Sequence, residues 1–522
     1  MPQEKKRSSM ITVLIIMLLT LLGKGTGLIR DMLLGHNFAT GVESTAFLTA
    51  SRIPRNFFDA IFASAISASF IPVFNEYLEK RGKEEAFRLS NAFMGVVLLL
   101  TAGLAALGMV FAPQLTAFLA DGFDAQTAAL CTELLQILFP TVIFTGLAFS
   151  MVGILQSLGE FNIPAIISAV SNLVIIAYYL FFCEEHGIFG LAVAFLVGWA
   201  MQALVQVPAL HKLGYRYRPA LRHEGLGKIF KLMLPVMVST WIQPINLAVS
   251  TKYASRLFGG AAASAMEYAN TLYTIVVGVF VLSIVNVIFP EMSRQAVQQQ
   301  GRAMARTIGT TLQAMLYFLI PMTVGLMLLA KPVIRLLYQW GNWDDFSTDI
   351  TARALLFLAL GMIGYGVQNV LSRAFYAKQN GKVPLVTGIV SVGLNLLLCQ
   401  LLYRSMDVAG LALASSVSAL VSGLLLLIPL RGELQDILDR SFRRDSGKML
   451  LSAAVMALAV WGSRVGLQSL LSDGVTGRML LVLLPVLAGV AVYLLLTYLL
   501  RVSVLDMGLT ILKNRLRRGE KP

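Results

Sequence analysis

The stretch RMLLVLLPVLAGVAVYLLLTYLL, residues 478–500, decides the fold class of this chain. After the leading arginine it holds no charged side chain, and a helix of this length crosses the roughly 30 Å of hydrocarbon in a bilayer. Such runs form helices, because a bilayer offers no water to satisfy open backbone groups. We expect about fourteen transmembrane helices, at residues 10–35, 46–74, 90–112, 128–157, 163–183, 187–210, 229–257, 264–290, 308–330, 350–377, 383–403, 408–430, 448–470 and 478–500.

The composition supports an all-α polytopic membrane protein. The chain has 522 residues, of which 57% are hydrophobic and 13% charged. Soluble domains average about 25% charged residues, so a cytosolic enzyme, a disordered chain and a secreted scaffold are all excluded. The three cysteines lie far apart without a Cys-x-x-Cys pair, so we expect neither a disulfide framework nor a metal site.

The positive charges are distributed unevenly between the two sets of loops. Of the 42 Lys and Arg residues, 29 lie at the two termini and in the alternate loops on their side of the membrane, whereas six lie in the opposite loops. Basic residues accumulate on the cytoplasmic side. We therefore expect both termini in the cytoplasm. Because these loops explain the net charge of +14, we expect no nucleic-acid partner, and nothing in the sequence identifies a protein partner.

An internal repeat divides the chain into two halves at an offset of about 220 residues. Each half holds six predicted helices, so the two halves have the same orientation and predict two parallel lobes around a central cavity. We expect an N-terminal lobe at residues 1–220, a C-terminal lobe at 221–440, and helices 13 and 14 with a basic tail at 441–522. The matching anchors are Pro72 with Pro290, Arg88 with Arg306, Pro164 with Pro384, and Gly190-Leu191-Ala192 with Gly410-Leu411-Ala412.

Ionisable side chains at membrane depth normally face a cavity or a partner. Helix one carries three of them, at Lys24, Arg30 and Asp31. Helix two carries a polar stripe at i, i+3, i+4 and i+7, which places its members on one helical face. We expect Pro54, within the stripe, to interrupt the backbone hydrogen bonding of this helix. The members of the stripe are Arg52, Arg55, Asn56 and Asp59.

Helix eight repeats the same spacing with mostly neutral groups. Its stripe is Glu267, Asn270, Thr271 and Thr274. If both stripes line the cavity, the cavity is cationic and suits an anionic headgroup such as a pyrophosphate. Two alternatives stay open: the arginines extend to the surface, or the charges form salt bridges that only hold the lobes together. Weaker candidates for a coupling cation are Gln243, Asn246 and Asn395, for which ordinary interhelical hydrogen bonds are the alternative.

The chain resembles the MurJ/MviN family of lipid II flippases, within the multidrug/oligosaccharidyl-lipid/polysaccharide exporter superfamily. The resemblance covers nearly the whole chain, and its residues include Gly27-Leu28-Ile29-Arg30-Asp31, Ala46-Phe47, Arg52-Ile53-Pro54, Phe70-Ile71-Pro72-Val73-Phe74-Asn75-Glu76-Tyr77, Leu337-Tyr338-Gln339-Trp340-Gly341, and Ala374-Phe375-Tyr376-Ala377-Lys378-Gln379.

This resemblance implies a flippase of the bacterial inner membrane that moves a polyprenyl-pyrophosphate-linked peptidoglycan precursor by alternating access. It also implies a groove for the lipid tail near helices 13 and 14, no cofactor, and coupling to membrane potential or a cation gradient. Lys24 stands where the family usually has arginine. Phe58 and Thr271 stand where it typically has cavity arginines, and Thr45 where an aspartate is common.

Two interpretations of these departures stay open. Arg52 and Arg55 supply the missing charge, or the substrate is another polyprenyl-linked saccharide. A cation-coupled exporter of small molecules is a more distant alternative, because exporters of cationic drugs favour acidic cavities. The chain has no Gly-x-x-x-x-Gly-Lys-Ser/Thr motif and no large outward loop. We therefore expect a transporter and not an enzyme.

Overall fold

The structure is a computed structural model that describes residues 2–471 and 474–505. All secondary structure in these residues is helical, which confirms the predicted fold class. Contacts group the chain into a first unit, Met1–Ser264 with Gly341–Trp343, and a second unit, Ala265–Trp340 with Asp344–Pro522. The basic tail predicted at the C-terminus lies, from residue 506 onward, outside the described residues.

The first unit is a bundle whose core is rich in aromatic side chains. Phe70 stacks on Phe93 with ring centroids 4.7 Å apart, and both are fully buried. π-helical turns at Arg52–Phe57 and Ile66–Phe70 interrupt the second predicted span. The helices are α1 (Pro2–Phe38), α2 (Val42–Ser51), α3 (Phe58–Ala65), α4 (Ile71–Arg81), α5 (Lys83–Val110), α6 (Ala112–Leu119), α7 (Ala125–Leu138), α8 (Thr141–Ser157), α9 (Asn162–Phe181), α10 (Cys183–Leu204), α11 (Val207–Lys212), α12 (Leu226–Thr240) and α13 (Ile242–Ala254).

The second unit has longer helices and two apolar clusters. One cluster joins α15, α16 and α17, and the other joins α16 to the last two helices. Tyr493 on the last helix donates to the backbone oxygen of Tyr317 at 3.0 Å. The helices are α14 (Ala261–Val277, which begins in the first unit), α15 (Ser283–Val297), α16 (Gly301–Tyr338), α17 (Asp345–Ala377), α18 (Lys382–Leu425), α19 (Leu434–Ile437), α20 (Arg440–Gln468) and α21 (Val475–Leu499).

The helices have the length and composition of a multi-span membrane protein. Among the described residues, nine helical stretches are long and apolar enough to cross a membrane. One of them contains two predicted spans. The stretch Lys382–Leu430 covers the spans predicted at 383–403 and 408–430, which meet at a break in the helix at Asp407. The number of fourteen spans stays a prediction.

The repeat extends to backbone conformation. Gly187 breaks α10 with φ 51° and ψ −142°, and Asp407, 220 residues later, breaks α18 with φ 51° and ψ −134°. Asp124 caps α7 by accepting from the backbone nitrogen three residues ahead at 2.7 Å. Asp344, also 220 residues later, caps α17 in the same way at 2.8 Å. The two halves therefore share local geometry as well as sequence anchors.

The contacts between helices and the sequence repeat give different boundaries between the two parts of the chain. The repeat places α12 and α13 at the start of the second half, whereas their contacts place them in the first unit, where α12 packs on α3 and on the π-helical turn Ile66–Phe70. The lobe boundaries at residues 220 and 440 rest on the sequence repeat and stay predictions.

Candidate functional site

A buried cluster of charge lies on α1. Arg30 donates from Nε and Nη2 to Oδ1 of Asp31, at 2.9 and 2.7 Å, and from Nη1 to Oδ1 of Asn172 at 2.9 Å. Its guanidinium also lies 5.4 Å from the ring centre of Phe195. A buried ion pair persists only where further hydrogen bonds satisfy its remaining groups. Asn172 and Phe195 supply such contacts from α9 and α10.

The small residues of the first helix let α9 come close to it. Asn172 donates to the backbone oxygen of Gly23 at 3.1 Å and to Oγ1 of Thr26 at 3.3 Å. A Cβ at Gly27 would lie only 3.4 Å from the amide nitrogen of Asn172. Gly23 and Gly27 therefore serve as a packing surface in an unbroken α1. Lys24, on the same helix, is exposed.

Arg52 begins the first π-helical turn of the second predicted span. Pro54 has no backbone N–H, and the chain widens into a π-helix there, as a proline inside a span can cause. Arg52 is 6% exposed, and it donates to the backbone oxygens of Leu247 at 3.3 Å and Ala263 at 3.5 Å. Its charge thus lies beside α13 and the first turn of α14.

Asp59 faces different neighbours. Its Oδ1 accepts from Oγ1 of Thr145 at 3.0 Å and lies 3.5 Å from Nε1 of Trp199, on α8 and α10. Arg55 is near enough for a favourable Coulomb interaction with Asp59, as its i+4 spacing predicts. The structure therefore brings Arg55 and Asp59 together, whereas Arg52 contacts other helices. The side chain of Asn56 lies outside the described part of the structure.

The four polar residues of the stripe on α14 become more exposed along the helix. Glu267 is buried, Asn270 and Thr271 are half-buried, and Thr274 is exposed. Whether this stripe and the one after Arg52 line a common cavity stays a prediction. Near the start of α14, within the first unit, Thr45 donates to Oγ of Ser264 at 3.1 Å.

The remaining candidates have separate environments. Phe58 is half-buried and stacks on Phe62 with centroids 6.4 Å apart. Gln243 is exposed and Asn246 half-buried on α13. Asn395 is buried and accepts from Oγ of Ser415 at 3.5 Å. That contact joins the two halves of α18, which favours the hydrogen-bonding alternative for Asn395.

Three partners of the predicted site residues do not follow from the sequence patterns. Asn172, Thr145 and Trp199 lie on other helices, more than eighty residues from the charges they contact. Helical spacing relates residues within one helix and carries no information about such pairs. Asn172 has one visible signal, since it is a polar amide in the middle of an apolar span.

A second charged cluster lies at the loop between α6 and α7. Asp121 accepts from Nε and Nη2 of Arg256, at 2.9 and 2.7 Å, and Nζ of Lys252 lies 3.4 Å away. The hydrogen bonds from Arg256 hold the pKa of the Asp121 carboxyl below its ordinary value of 3.8. A Cβ at Gly122 would collide with the backbone of Arg256, so the loop lies directly on the residues that follow α13.

Comparison with known proteins identifies the family. The model of the family described as lipid II flippase MurJ matches residues 34–484, which is most of the chain. The chain belongs to the lipid II flippase MurJ family. The resemblance seen in the sequence is confirmed. The buried charges on α1 and on the π-helical turn after α2 therefore belong to a member of this family.

Individual relatives match the chain over most of its length. A probable lipid II flippase MurJ from Haemophilus influenzae is 30% identical over an aligned length of 478 positions, and the match covers 85% of this chain and 90% of the relative. A lipid II flippase MurJ from Burkholderia cenocepacia is 28% identical. The match covers 79% of this chain and 82% of that protein.

Solved structures show the same fold. A lipid II flippase MurJ in an inward closed conformation superposes with a TM-score of 0.79 at 24% identity, covering 93% of this chain and 98% of that chain. An inward-facing multidrug resistance transporter of the MATE family superposes with a TM-score of 0.68 at 14% identity, covering 81% of this chain and 98% of that one. These likenesses concern the fold alone.

Proposed function

We propose that this protein moves lipid II, a polyprenyl-pyrophosphate-linked peptidoglycan precursor, from the inner to the outer leaflet of the bacterial plasma membrane. Membership of the lipid II flippase MurJ family supports the substrate class, together with the named relatives of similar length. The observation that carries the proposal is the buried Arg30–Asp31–Asn172 cluster. Ionisable groups at membrane depth are costly, and their usual role is to line a substrate or ion pathway.

The chemistry of the site suits a pyrophosphate. Arg30, Lys24 and Arg52 would bind its oxygens, with Arg55 beside them, because guanidinium groups bind phosphate oxygens in pairs. Asp31 and Asp59 would hold the arginines in position when no substrate is bound. When the headgroup arrives, its phosphates would compete with Asp31 for Nε and Nη2 of Arg30. That exchange gives Arg30 a new anionic partner in place of Asp31, so the charge of Arg30 itself stays compensated.

Transport would proceed by alternating access. The headgroup would cross between the two lobes while its tail stays in the lipid, in a groove near α20 and α21. Net movement would be driven by the membrane potential or by a cation gradient. Both termini would lie in the cytoplasm, because the basic loops belong to their side of the membrane.

The proposal is tested in cells whose own flippase is shut off and replaced by this protein. An external enzyme that cleaves only exposed lipid II provides the readout. We expect cleavage product with the natural chain and little with R30A or R52A, although both variants insert normally. R440A removes an exposed arginine outside the site and serves as the matched control. Full activity of R30A and R52A would contradict the assigned site.

The second candidate is a flippase for another polyprenyl-linked saccharide. The aromatic stack of Phe58 on Phe62 favours it, because this position offers an apolar surface where the family typically has a charge. If the inserted chain exposes no lipid II but restores the export of another polyprenyl-linked sugar, this second candidate is correct. The more distant alternative is a small-molecule exporter. It would require that the R30A variant still transports a small molecule.

A further inference from the structure

The linker between α11 and α12 is fixed on the surface of α5. Tyr215 donates from its hydroxyl to Oδ1 of Asn91 at 2.8 Å, and the backbone nitrogen of Arg218 donates to the same oxygen at 3.2 Å. A Cβ at Gly95 would collide with the carbonyl oxygen of Ala220. The linker therefore lies against the helix backbone itself, in a place that only glycine permits.

This arrangement creates an open groove of about 680 Å³. Its walls are mostly apolar, and Leu99 and Leu221 are 58% and 52% exposed. Tyr217 and Arg222 line the same groove. Gly95 lies five residues inside the span predicted at 90–112, which corresponds to about 8 Å along a helix. The predicted span therefore puts the groove at the level where the lipid headgroups would meet the hydrocarbon.

Three arginines lie on the linker, and one of them, Arg222, lines the groove. Arg216, Arg218 and Arg222 are all exposed. Within the described part of the chain, none of their guanidinium groups takes part in an ion pair or a side-chain hydrogen bond. Nearby cations differ in this respect, since Arg81 is paired with Glu224 and Lys228 with Glu76. The groove is therefore apolar inside and cationic at its edge.

In the second half of the repeat, the corresponding helix face is covered. At the offset of 218, Leu99 corresponds to Tyr317 on α16. Tyr317 is only 4% exposed, because Tyr493 and Thr497 of α21 pack and hydrogen-bond on it. The first half has no counterpart of α20 and α21 in the sequence. The face that these helices cover in the second half is open in the first.

We propose that this groove binds an anionic phospholipid of the leaflet that the basic loops face. Its phosphate would bind Arg222 and Arg218, and the upper part of an acyl chain would lie on Leu99 and Leu221. Basic pockets at this depth bind acidic headgroups, and the apolar wall suits the adjoining chain. The site is separate from the transported headgroup, so the proposal does not depend on the identity of the substrate.

The test compares lipid binding to the purified full-length chain by native mass spectrometry. The probes are phosphatidylglycerol and, as the neutral comparison, phosphatidylcholine. We expect R218Q/R222Q to weaken phosphatidylglycerol binding about 25-fold, since each basic residue near an acidic headgroup contributes about fivefold. Phosphatidylcholine binding should not change.

The matched control is R431Q/R440Q. It removes two exposed arginines from the corresponding region of the second half, where α20 and α21 cover the helix face. Arg431 lies in the linker after α18, and Arg440 is the first residue of α20. We expect it to retain the preference for phosphatidylglycerol. L221E leaves all the arginines in place but adds a negative charge to an exposed position in the groove, and it should also lower that preference.

Three results would overturn the proposal. R218Q/R222Q could keep the full preference for phosphatidylglycerol. Both double variants could lose it equally, which would indicate a general effect of net charge. The variant could also keep its lipid and lose a co-purifying membrane protein, which would show that the groove holds a partner helix.

Discussion

At the scale of single residues, the cluster around Arg30 explains how the chain keeps a charge at membrane depth. Burying an ion pair costs more than its attraction returns unless its other donors are satisfied. Here Asp31 satisfies two donors of Arg30 and Asn172 a third. Because the same asparagine also bonds to Gly23, it fixes the arginine and the helix packing together.

We predict that N172A lowers the free energy of unfolding by about 1–2 kcal/mol, because buried interhelical hydrogen bonds in membranes are worth that much at most. Lipid II exposure should fall as well, since Arg30 loses an orienting partner. Thermal unfolding in detergent and the cleavage assay measure the two effects. The control is N369A, because within the described residues Asn369 donates only to the backbone of its own helix, at Tyr365. Equal behaviour of the two variants would contradict this role of Asn172.

The pair of Asp121 and Arg256 predicts a pH dependence. The pKa of Asp121 is lowered in the folded chain, so its stabilisation is present above 3.8 and is lost as the pH falls below that value. The pair is about one-third exposed, so R256Q should lower stability at pH 7 by no more than about 1 kcal/mol.

Thermal unfolding at pH 7 and at a pH below the lowered pKa of Asp121 checks this prediction. The difference between the natural chain and R256Q should disappear at the lower pH. In a D121N background, R256Q should have the same small effect on thermal stability at both pH values. A constant difference in the natural background would show that Asp121 does not contribute through its charge.

At the scale of elements, the π-helical turn at Arg52–Phe57 sets the direction of the charges that follow it. An uninterrupted α-helix would place Arg52 and Asp59 on one face, seven residues apart. In the structure, Arg52 contacts α13 and α14, whereas Asp59 contacts α8 and α10. The wider turn separates two charges that the sequence places in one stripe.

We predict that P54A restores α-helical hydrogen bonding and moves Asp59 away from Thr145. Lipid II exposure should fall while the amount of inserted protein stays the same. P164A is the control, because Pro164 lies in the first turn of α9, where proline is tolerated. If P54A transports as well as P164A, the π-helical turn has no role in placing the site.

The matching breaks at Gly187 and Asp407 predict opposite effects of substitution. Both residues have φ near +51°, which favours glycine over other residues. G187A should lower the free energy of unfolding by about 1–2 kcal/mol, and D407G should raise it or leave it unchanged. Thermal unfolding of both variants tests this expectation. Stabilisation by G187A would show that the break is absent in the protein.

The sequence predicts helices better than it predicts their partners. Apolar runs identify the spans because a bilayer permits few other structures, and Pro54 and the repeat anchors identify interruptions and symmetry. The contacts of Arg30 with Asn172 and of Asp59 with Thr145 could not be predicted. These contacts depend on which helices pack together. The periodicity of residues within one helix does not indicate which other helix lies beside it.

At the scale of the whole molecule, the repeat and its exceptions explain the division of the chain. The shared caps at Asp124 and Asp344 show one local plan used twice. α20 and α21 lie outside the repeat and cover Tyr317 of the second half. The candidate charges at Arg30, Arg52 and Asp59 all lie in the first half. That asymmetry is consistent with a headgroup site built mainly from one half.

The most direct test of the central claim uses the purified chain in vesicles that contain lipid II in both leaflets. An added enzyme that cannot cross the membrane cleaves the exposed lipid. With the natural chain we predict cleavage of nearly all lipid II, because the inner pool is moved outward. With R30A or R52A, we predict cleavage of the outer pool alone. If the correctly inserted natural chain also leaves the inner pool intact, with and without a membrane potential or a cation gradient, it does not move lipid II and the account is wrong.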